Sequence, residues 1–333
     1  PDALHDAVSP AAVIGCLGEA VLGEGREIED EPAVSVWLAG LPSVPETFHM
    51  RFDQPMPGGG TFEGWPAPAP DAEPGGAYLL LADPFTFPVD PFLQALNQDR
   101  PGTIVMGGNA SGGAGPGGTV LFRDREVLTD GAVGCRLPVA VVPLVSQGCR
   151  PVGQAFTVTK AEGNIIHELA GAPALDRVRE TYASLAPPDR ELMASGLHLG
   201  RVVDEYVPEY AQGDFLIRAV LGGDQETGAM AVGDLIEVGE TVQFHVRDAS
   251  SADEDLRATL ERDVPGKPAG ALLFTCNGRG TGLFTTPDHD AALVAERLGV
   301  PTAGFFAAGE IGPVGGRNFL HGFTASLAVF TER

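Results

Sequence analysis

Cysteine is scarce in this chain: four occur among 333 residues, at positions 16, 135, 149 and 276, and no two form a Cys-x-x-Cys pair. That spacing serves neither a structural zinc site nor a dithiol redox motif, and it is too sparse for a disulfide framework. Reduced, mostly buried thiols are expected. Basic residues are also few, 21 Lys and Arg against 45 Asp and Glu, for a formal net charge of -24. A surface that negative repels phosphate backbones and anionic headgroups, so nucleic acid and membrane surfaces are excluded as partners and the charge is read as serving solubility. No apolar run approaches the ~20 residues that span a bilayer. The opening PDALHDAVSP has neither the basic start nor the apolar run of a signal peptide, and a cytoplasmic location follows by elimination. The Pro at position 1, with a strand beginning within a dozen residues, predicts that an N-terminal segment has been lost. The seven histidines are scattered, with no i, i+4 pair for a helical metal site, so no metal centre is expected.

What is abundant is apolar and glycine-rich. Hydrophobic residues make up 44% of the chain and charged residues 20%, the balance of a globular protein long enough for two domains. Short apolar runs bounded by glycine predict strands at 11–15, 33–40, 77–82, 103–108, 132–137, 215–221, 241–248, 271–276 and 322–330. Helices are predicted at 90–99, at 173–186 with Leu175, Val178, Tyr182 and Leu185 on one face, at 251–263 with a Ser251/Glu254 capping box, and at 288–298 behind Asp288. The fold class is therefore mixed α/β (α+β): two related modules of mixed sheets with helices on their outer faces. The modules are placed at 1–145 and 146–333. The Pro- and Gly-rich stretch 53–76 reads as an exposed or disordered excursion, and 187–196 as a break. A loose echo recurs three times, as strand, glycine-rich loop and strand: from VIGCLGEAVLGEG at residue 13, MGGNASGGAGPGG at 106 and TAGFFAAGEIGPVGG at 302. Equivalent loops from the two modules would surround a shared cleft.

Several segments could carry chemistry. Cys276-Asn277-Gly278-Arg279 falls at the carboxyl end of a predicted strand, where α/β folds commonly bind ligands. Asn277 offers a donor and an acceptor, and Arg279 a fork for a carboxylate or phosphate. Asn-Gly is equally a turn signal, and Arg279 equally a partner for a surface acid. Glu310 is the one ionisable side chain between Thr302 and Gly316, beside Gly309, so it either meets a ligand or pairs with Arg279 or Arg317. Asn109 and Ser111, with loop amides, could wrap a ligand, or their loop could be a plain connector. Arg150 is a candidate anion contact or a structural group at the module junction. Arg247 shares a strand face with His245. Glycine spacing matches neither a Walker loop nor a dinucleotide fingerprint, and no serine-hydrolase elbow is present. A Cys276–His289 or Cys276–His321 nucleophile pair can be drawn, but a cysteine at the end of a buried strand is more often packing.

At these motifs the chain resembles a known family. CNGRG, PDHD and GFFAAGEIGPVGGRNFLHGFTASLAVF resemble the C-terminal module of FIST proteins. VIGCLGEAVLGEGREIEDEPAVSVWLAG, DPF, GGNASG, DGAVG and SQGCRPVG resemble the N-terminal module and its junction, whose start would lie outside this sequence. The resemblance implies an intracellular sensory module for small ligands such as amino acids. It carries no catalytic residues over, and with no output domain attached it implies a separate signalling partner. The leading expectation is a binding protein with a ligand between the modules: Arg279 or Arg150 on its carboxylate, Glu310 on its ammonium group, and Asn277, Asn109, Ser111, Gly309, Arg247 and His321 completing the set. Because some relatives bind haem, a nitric oxide sensor with His245, His289, His321 or Cys276 as axial ligand is the first alternative. An enzyme using Cys276 or Glu310 is the second.

Overall fold

The computed structural model describes residues 1–56, 59–67, 76–207, 210–262 and 264–332. The chain divides into two compact units, one formed by Pro1–Ser146 with Leu256–Arg333 and the other by Gln147–Asp255. The first cut lies beside the boundary expected from sequence; the second, at 255/256, has no counterpart there.

The first unit is built on two mixed sheets. One runs, in spatial order, through Arg317–His321, Glu310–Val314, Ile104–Asn109, Ala77–Ala82, Ala132–Arg136, Glu46–Met56 and Gly59–Glu63. The other runs through Val141–Gln147, Thr324–Thr331, Pro268–Cys276, Thr302–Ala307, Val21–Gly23 and Arg26–Ile28. Their inner faces meet in one apolar core that joins Leu79, Leu81 and Met106 of the first sheet to Phe274, Phe305 and Phe330 of the second. On the outer face of the first sheet, the helix Val89–Asp99 buries Phe92, Leu93 and Leu96 against Leu80 and Val105. On the outer face of the second, the helix His289–Leu298 sets Leu293 and Val294, with Leu256 and Leu260, against Leu273, Leu327 and Val329. The near-continuous apolar runs of Ala77–Ala82 and Pro268–Cys276 are what this layering requires, because each is covered on both sides.

Each sheet contains one strand–helix–strand unit with its two strands parallel: Ala77–Ala82 beside Ile104–Asn109, and Pro268–Cys276 beside Thr302–Ala307. These two parallel pairs are the frame of the site.

The second unit is an antiparallel barrel. Its order is Cys149–Glu162, Thr241–Arg247, Leu197–Val202, Phe215–Gly223, Met230–Val232 and Ile165–Leu169, and the long first strand closes the ring by pairing with the last. Its core is its own, with Val158, Ile166, Leu199, Met230, Val242 and Phe244 at its centre.

Four local expectations differ. Residues 33–40 join no ladder: Ser35 bonds the Leu22 carbonyl and Trp37 packs tilted against Phe330, while Val34, Val36 and Leu38 stay exposed. Part of the stretch 53–76 is ordered: Glu46–Met56 and Gly59–Glu63 form a largely exposed hairpin, and residues 57–58 and 68–75 lie outside the described residues. The break at 187–196 is a helix, Pro187–Ser195, whose two prolines sit in the first turn, where a missing N–H costs nothing. The helix expected at 251 starts at Ala249 and takes its cap from Asp248, which accepts from the Ser250 N–H and the Ser251 hydroxyl.

Candidate functional site

All three glycine-rich loops of the sequence echo meet at the carboxyl ends of the two parallel pairs. The loop after Ile104–Asn109 is stitched to the loop after Thr302–Ala307: the Asn109 N–H donates to the Gly309 carbonyl at 2.8 Å, and the Ala308 N–H to the Asn109 carbonyl at 3.0 Å. The loop from the chain's start joins them. Gly112 N–H donates to Leu17 O, Phe306 N–H to Ala20 O, and Glu19 N–H to the Ser111 hydroxyl at 2.8 Å; that hydroxyl in turn donates to the Phe306 carbonyl. The Asn277 N–H donates to the Ala307 carbonyl at 2.9 Å, and its side-chain amide reaches Glu19 Oε2 at 3.4 Å. Glycine is needed at Gly309, where φ is +115° and an added Cβ would lie 3.0 Å from Leu320 Cδ1.

Asn277, Arg279, Glu310, Gly309, Asn109, Ser111 and His321 therefore all belong to the first unit. They grade from an exposed rim, Asn277 and Glu19, through half-buried Ser111 to buried Asn109, Glu310, His321 and Arg279. Three of the buried groups keep a polar atom with no hydrogen-bond partner: Asn109 Oδ1, Glu310 Oε1 and Arg279 Nη1. A buried polar atom left unpaired costs free energy of about 1–3 kcal/mol, so three at one set of strand ends need a reason.

Charge explains part of the arrangement. Arg279, 1% exposed, holds Asp290 with two parallel bonds, Nε to Oδ2 at 2.6 Å and Nη2 to Oδ1 at 2.8 Å, and its guanidinium lies 5.2 Å from the centre of the Phe284 ring. Asp290 also accepts from the Thr275 hydroxyl at 2.6 Å, and the Arg279 charge holds its carboxyl well below the ordinary carboxylate range despite complete burial. The fork expected to receive a ligand carboxylate is thus already filled, leaving Nη1 alone. Glu310 makes no ion pair with Arg279: its Oε2 accepts from the Thr324 N–H at 3.1 Å and the Thr324 hydroxyl at 2.7 Å. Burial outweighs these bonds and the nearby guanidinium and pushes its carboxyl up to about 8. The Cys276 thiol beside it is pushed up to about 12 by burial and by the Glu310 charge, so it stays protonated near neutral pH and lacks the thiolate a nucleophile needs.

Sequence reasoning missed Asp290 and Glu27. Glu27, 261 residues upstream of Asp288, accepts from the Asp290 and Ala291 N–H groups at 3.0 Å each and so caps the helix His289–Leu298; Asp288 instead accepts from the Glu27 N–H. Burial and the Asp290 charge push the Glu27 carboxyl up to about 7. A signal for Asp290 did exist: it lies three and four residues before Leu293 and Val294, on the apolar stripe of its helix.

Arg150 and Arg247 belong to the second unit. Arg150 is paired with Asp189 and Asp248, and burial, with the charge of the neighbouring Arg247, lowers the His198 pKa to about 4. The three histidines expected as haem ligands do not fit an iron site. His289 is stacked 3.5 Å from Phe284 and bonds Asp290; His321 Nε2 contacts the Gly312 carbonyl; and His245 is so enclosed that a Cβ on Gly200 would come within 2.3 Å of its ring. Two open clefts occur elsewhere: one of 390 Å³ beside Arg51, Asp53, Thr86 and Asp130, and one of 500 Å³ beside Ile165, His167, Asp224 and Thr227. Neither is lined by a candidate residue. Among the described residues no group of three or more His, Cys, Asp or Glu could hold a metal ion, and no helix is long and apolar enough to cross a membrane.

Two layered sheets with glycine loops gathered at parallel strand ends, followed by an antiparallel barrel, define a two-part mixed α+β protein with a polar cluster at the strand ends of its first unit. The chain belongs to the FIST family, whose domains are associated with signal transduction and small-ligand sensing: residues 2–172 match the FIST N domain and residues 174–313 the FIST C domain. It is 51% identical over 335 residues to an uncharacterized protein of Mycobacterium tuberculosis, covering 99% of this chain and 86% of that one. A second uncharacterized protein, from Mycobacterium bovis, is also 51% identical, over 98% of this chain and 84% of its own.

Proposed function

We propose that this chain is an intracellular sensory protein that binds a small polar molecule, such as an amino acid, at the strand-end cluster of its first unit and passes the signal to a separate output protein. The observation that carries this reading is the pair of unpaired buried atoms Glu310 Oε1 and Arg279 Nη1, whose charges act on each other at the same strand ends. One acceptor and one donor match a molecule that carries both kinds of group. The Asn277 amide and the Ser111 hydroxyl stand nearer the rim, on the route a ligand would take. Arg279 contributes through Nη1 only, because Asp290 holds the rest of its fork. Arg150 and Arg247, in the other unit, are left out of this ligand set.

Family membership supports the sensory class, and the four free thiols suit a reducing compartment. The test is a thermal-shift screen of amino acids, their decarboxylated and deaminated analogues and other small polar molecules, run on wild type and Glu310→Gln. At least one molecule is expected to raise the wild-type melting temperature and to lose most of that shift in the variant. A screen in which nothing stabilises the wild type, or in which Glu310→Gln keeps the full shift, removes the assignment.

A further inference from the structure

Residues 32–45, PAVSVWLAGLPSVP, hold no charged side chain, in a chain where 20% of residues are charged. Exposure alternates along their first half. Val34, Val36 and Leu38 are 87%, 49% and 60% exposed, whereas Ser35 and Trp37 between them are half-buried. The inward pair fixes the segment to the second sheet. The Ser35 hydroxyl donates to the Leu22 carbonyl at 2.7 Å, and Trp37 Nε1 to the Pro301 carbonyl at 3.2 Å. The Trp37 ring lies 4.8 Å from that of Phe330 and close to Gly270, where an added Cβ would come within 2.8 Å of the indole. Among the described residues, no main-chain hydrogen bond is made by residues 33–40. Two side chains thus anchor the segment, while its main-chain groups and three branched apolar side chains are left to solvent. Single exposed apolar residues are ordinary, but a row of them on an anchored segment marks an interaction surface.

Such a row has the two features by which a sheet edge receives another strand: apolar side chains at every second position, and main-chain donors and acceptors not yet used. Exposed edges are usually blunted by charge or by proline. Here Pro32 and Pro42 lie outside residues 33–40, and no charge interrupts the stretch. Charge enters only at its ends. Of the acids that precede it, Glu29 accepts from the Thr281 N–H and hydroxyl, whereas Asp30 and Glu31 are exposed with no ion-pair partner among the described residues. Glu46, on the other side, is paired with Arg136. A second copy of this chain would bring its own acids to the contact, and two bodies of net charge -24 repel. A segment carrying Lys or Arg is drawn to the same place. We propose that residues 33–40 are a docking strand for another protein, whose contribution is an extended apolar segment flanked by Lys or Arg. Its main chain pairs with that of residues 33–40, its alternate side chains pack beside Val34, Val36 and Leu38, and its cations meet Asp30 and Glu31. This surface shares no residue with the strand-end cluster, so it stands or falls apart from the ligand reading above.

The probe is a fluorescent synthetic peptide, KKVTVTVTVKK, with lysines at both ends so that either strand direction sets a cation beside the two acids. Its binding to the full chain is read by fluorescence anisotropy. Three control peptides change one feature each: glutamates for the lysines, serines for the valines, and N-methyl groups on alternate amides. The basic apolar peptide is expected to bind, and each control to bind about tenfold more weakly or worse. Raising salt from ~0.05 to ~0.5 M is expected to weaken binding, since the end charges are exposed. Val34→Asp, at the most exposed position of the row, is expected to lose about tenfold in affinity while melting like wild type. Leu38→Asp gives a second reading should Val34→Asp melt low. No binding of the basic apolar peptide, equal binding of the glutamate or N-methylated peptide, or full binding by both variants each overturns the proposal. So does sedimentation that shows a wild-type dimer broken by Val34→Asp, because a second copy then occupies the strip.

Discussion

Glu310 and Asp290 are both fully buried carboxyls, yet they titrate in opposite directions, because one faces a guanidinium fork and the other does not. Their contributions to stability differ accordingly. The Glu310 carboxyl is held at about 8 in the fold against an ordinary value of 4.5, so the native state binds that proton more tightly than the unfolded chain does. Its stabilisation is complete below the ordinary value and is lost as pH rises toward 8, at up to about 1.4 kcal/mol per pH unit within that window. Glu310→Gln keeps the shape and removes the titration. It is expected to match wild type at the acid end and to exceed it at the alkaline end, in denaturant melts taken across the window. Parallel curves for the two proteins would contradict this. Asp290→Asn should do the reverse. It strands the Arg279 charge in the interior, with an expected loss of about 3–5 kcal/mol in the same melts.

At the scale of elements, the site depends on two strand ends approaching closely, and glycine permits it. Gly107 has φ of +144°, and a Cβ there would fall 1.9 Å from the Leu80 carbonyl oxygen on the paired parallel strand. Gly107→Ala is expected to cost at least about 2 kcal/mol in chemical denaturation and to weaken the bonds that tie Asn109 to Gly309; an unchanged melt would show that the strand end relaxes freely. The helix His289–Leu298 is a second case, since its first amides are capped by Glu27 from a distant hairpin. Glu27→Ala is expected to lower stability by about 1 kcal/mol and to speed hydrogen exchange at Asp290 and Ala291 selectively. These contacts also mark what a sequence can and cannot reveal. Runs such as 77–82 and 271–276 are legible because strands covered on both faces are apolar almost throughout. The segment 33–40 looks the same in composition, but a ladder depends on a neighbouring edge, and the chain places only Ser35 and Trp37 inward there. The converging glycine loops were visible as an echo. The Arg279–Asp290 pair and the Glu27 cap were not, because their partners are chosen by the folded arrangement and, for Glu27, lie more than 260 residues away.

The whole molecule has the topology of an insertion. The first unit's chain leaves at Ser146 and resumes at Leu256, and the segment between carries the barrel with the helices Ala174–Ser184 and Pro187–Ser195. Two features allow that barrel to stand by itself. Its longest strand, Cys149–Glu162, pairs with Thr241–Arg247 along one side and with Ile165–Leu169 along the other, so the ring closes. The chain also enters and leaves at one place, because Cys149 is the ladder partner of Arg247. Adjacent ends are what let a domain be inserted into another without strain, and equally let it be cut out. Its core, centred on Val158, Ile166, Leu199, Val242 and Phe244, draws on no residue outside Gln147–Asp255. A fragment of residues 147–255 is therefore expected to be folded on its own, with a strand-type circular dichroism spectrum, dispersed amide resonances and one cooperative melt. Splitting the chain instead at the linear midpoint between the two family matches, after residue 172, severs the barrel by taking Cys149–Glu162 and Ile165–Leu169 from the strands they pair with, and neither product is expected to show that melt. An unfolded 147–255 fragment, or a folded barrel in the 173–333 product, would mean that the closed ring is not the folding unit.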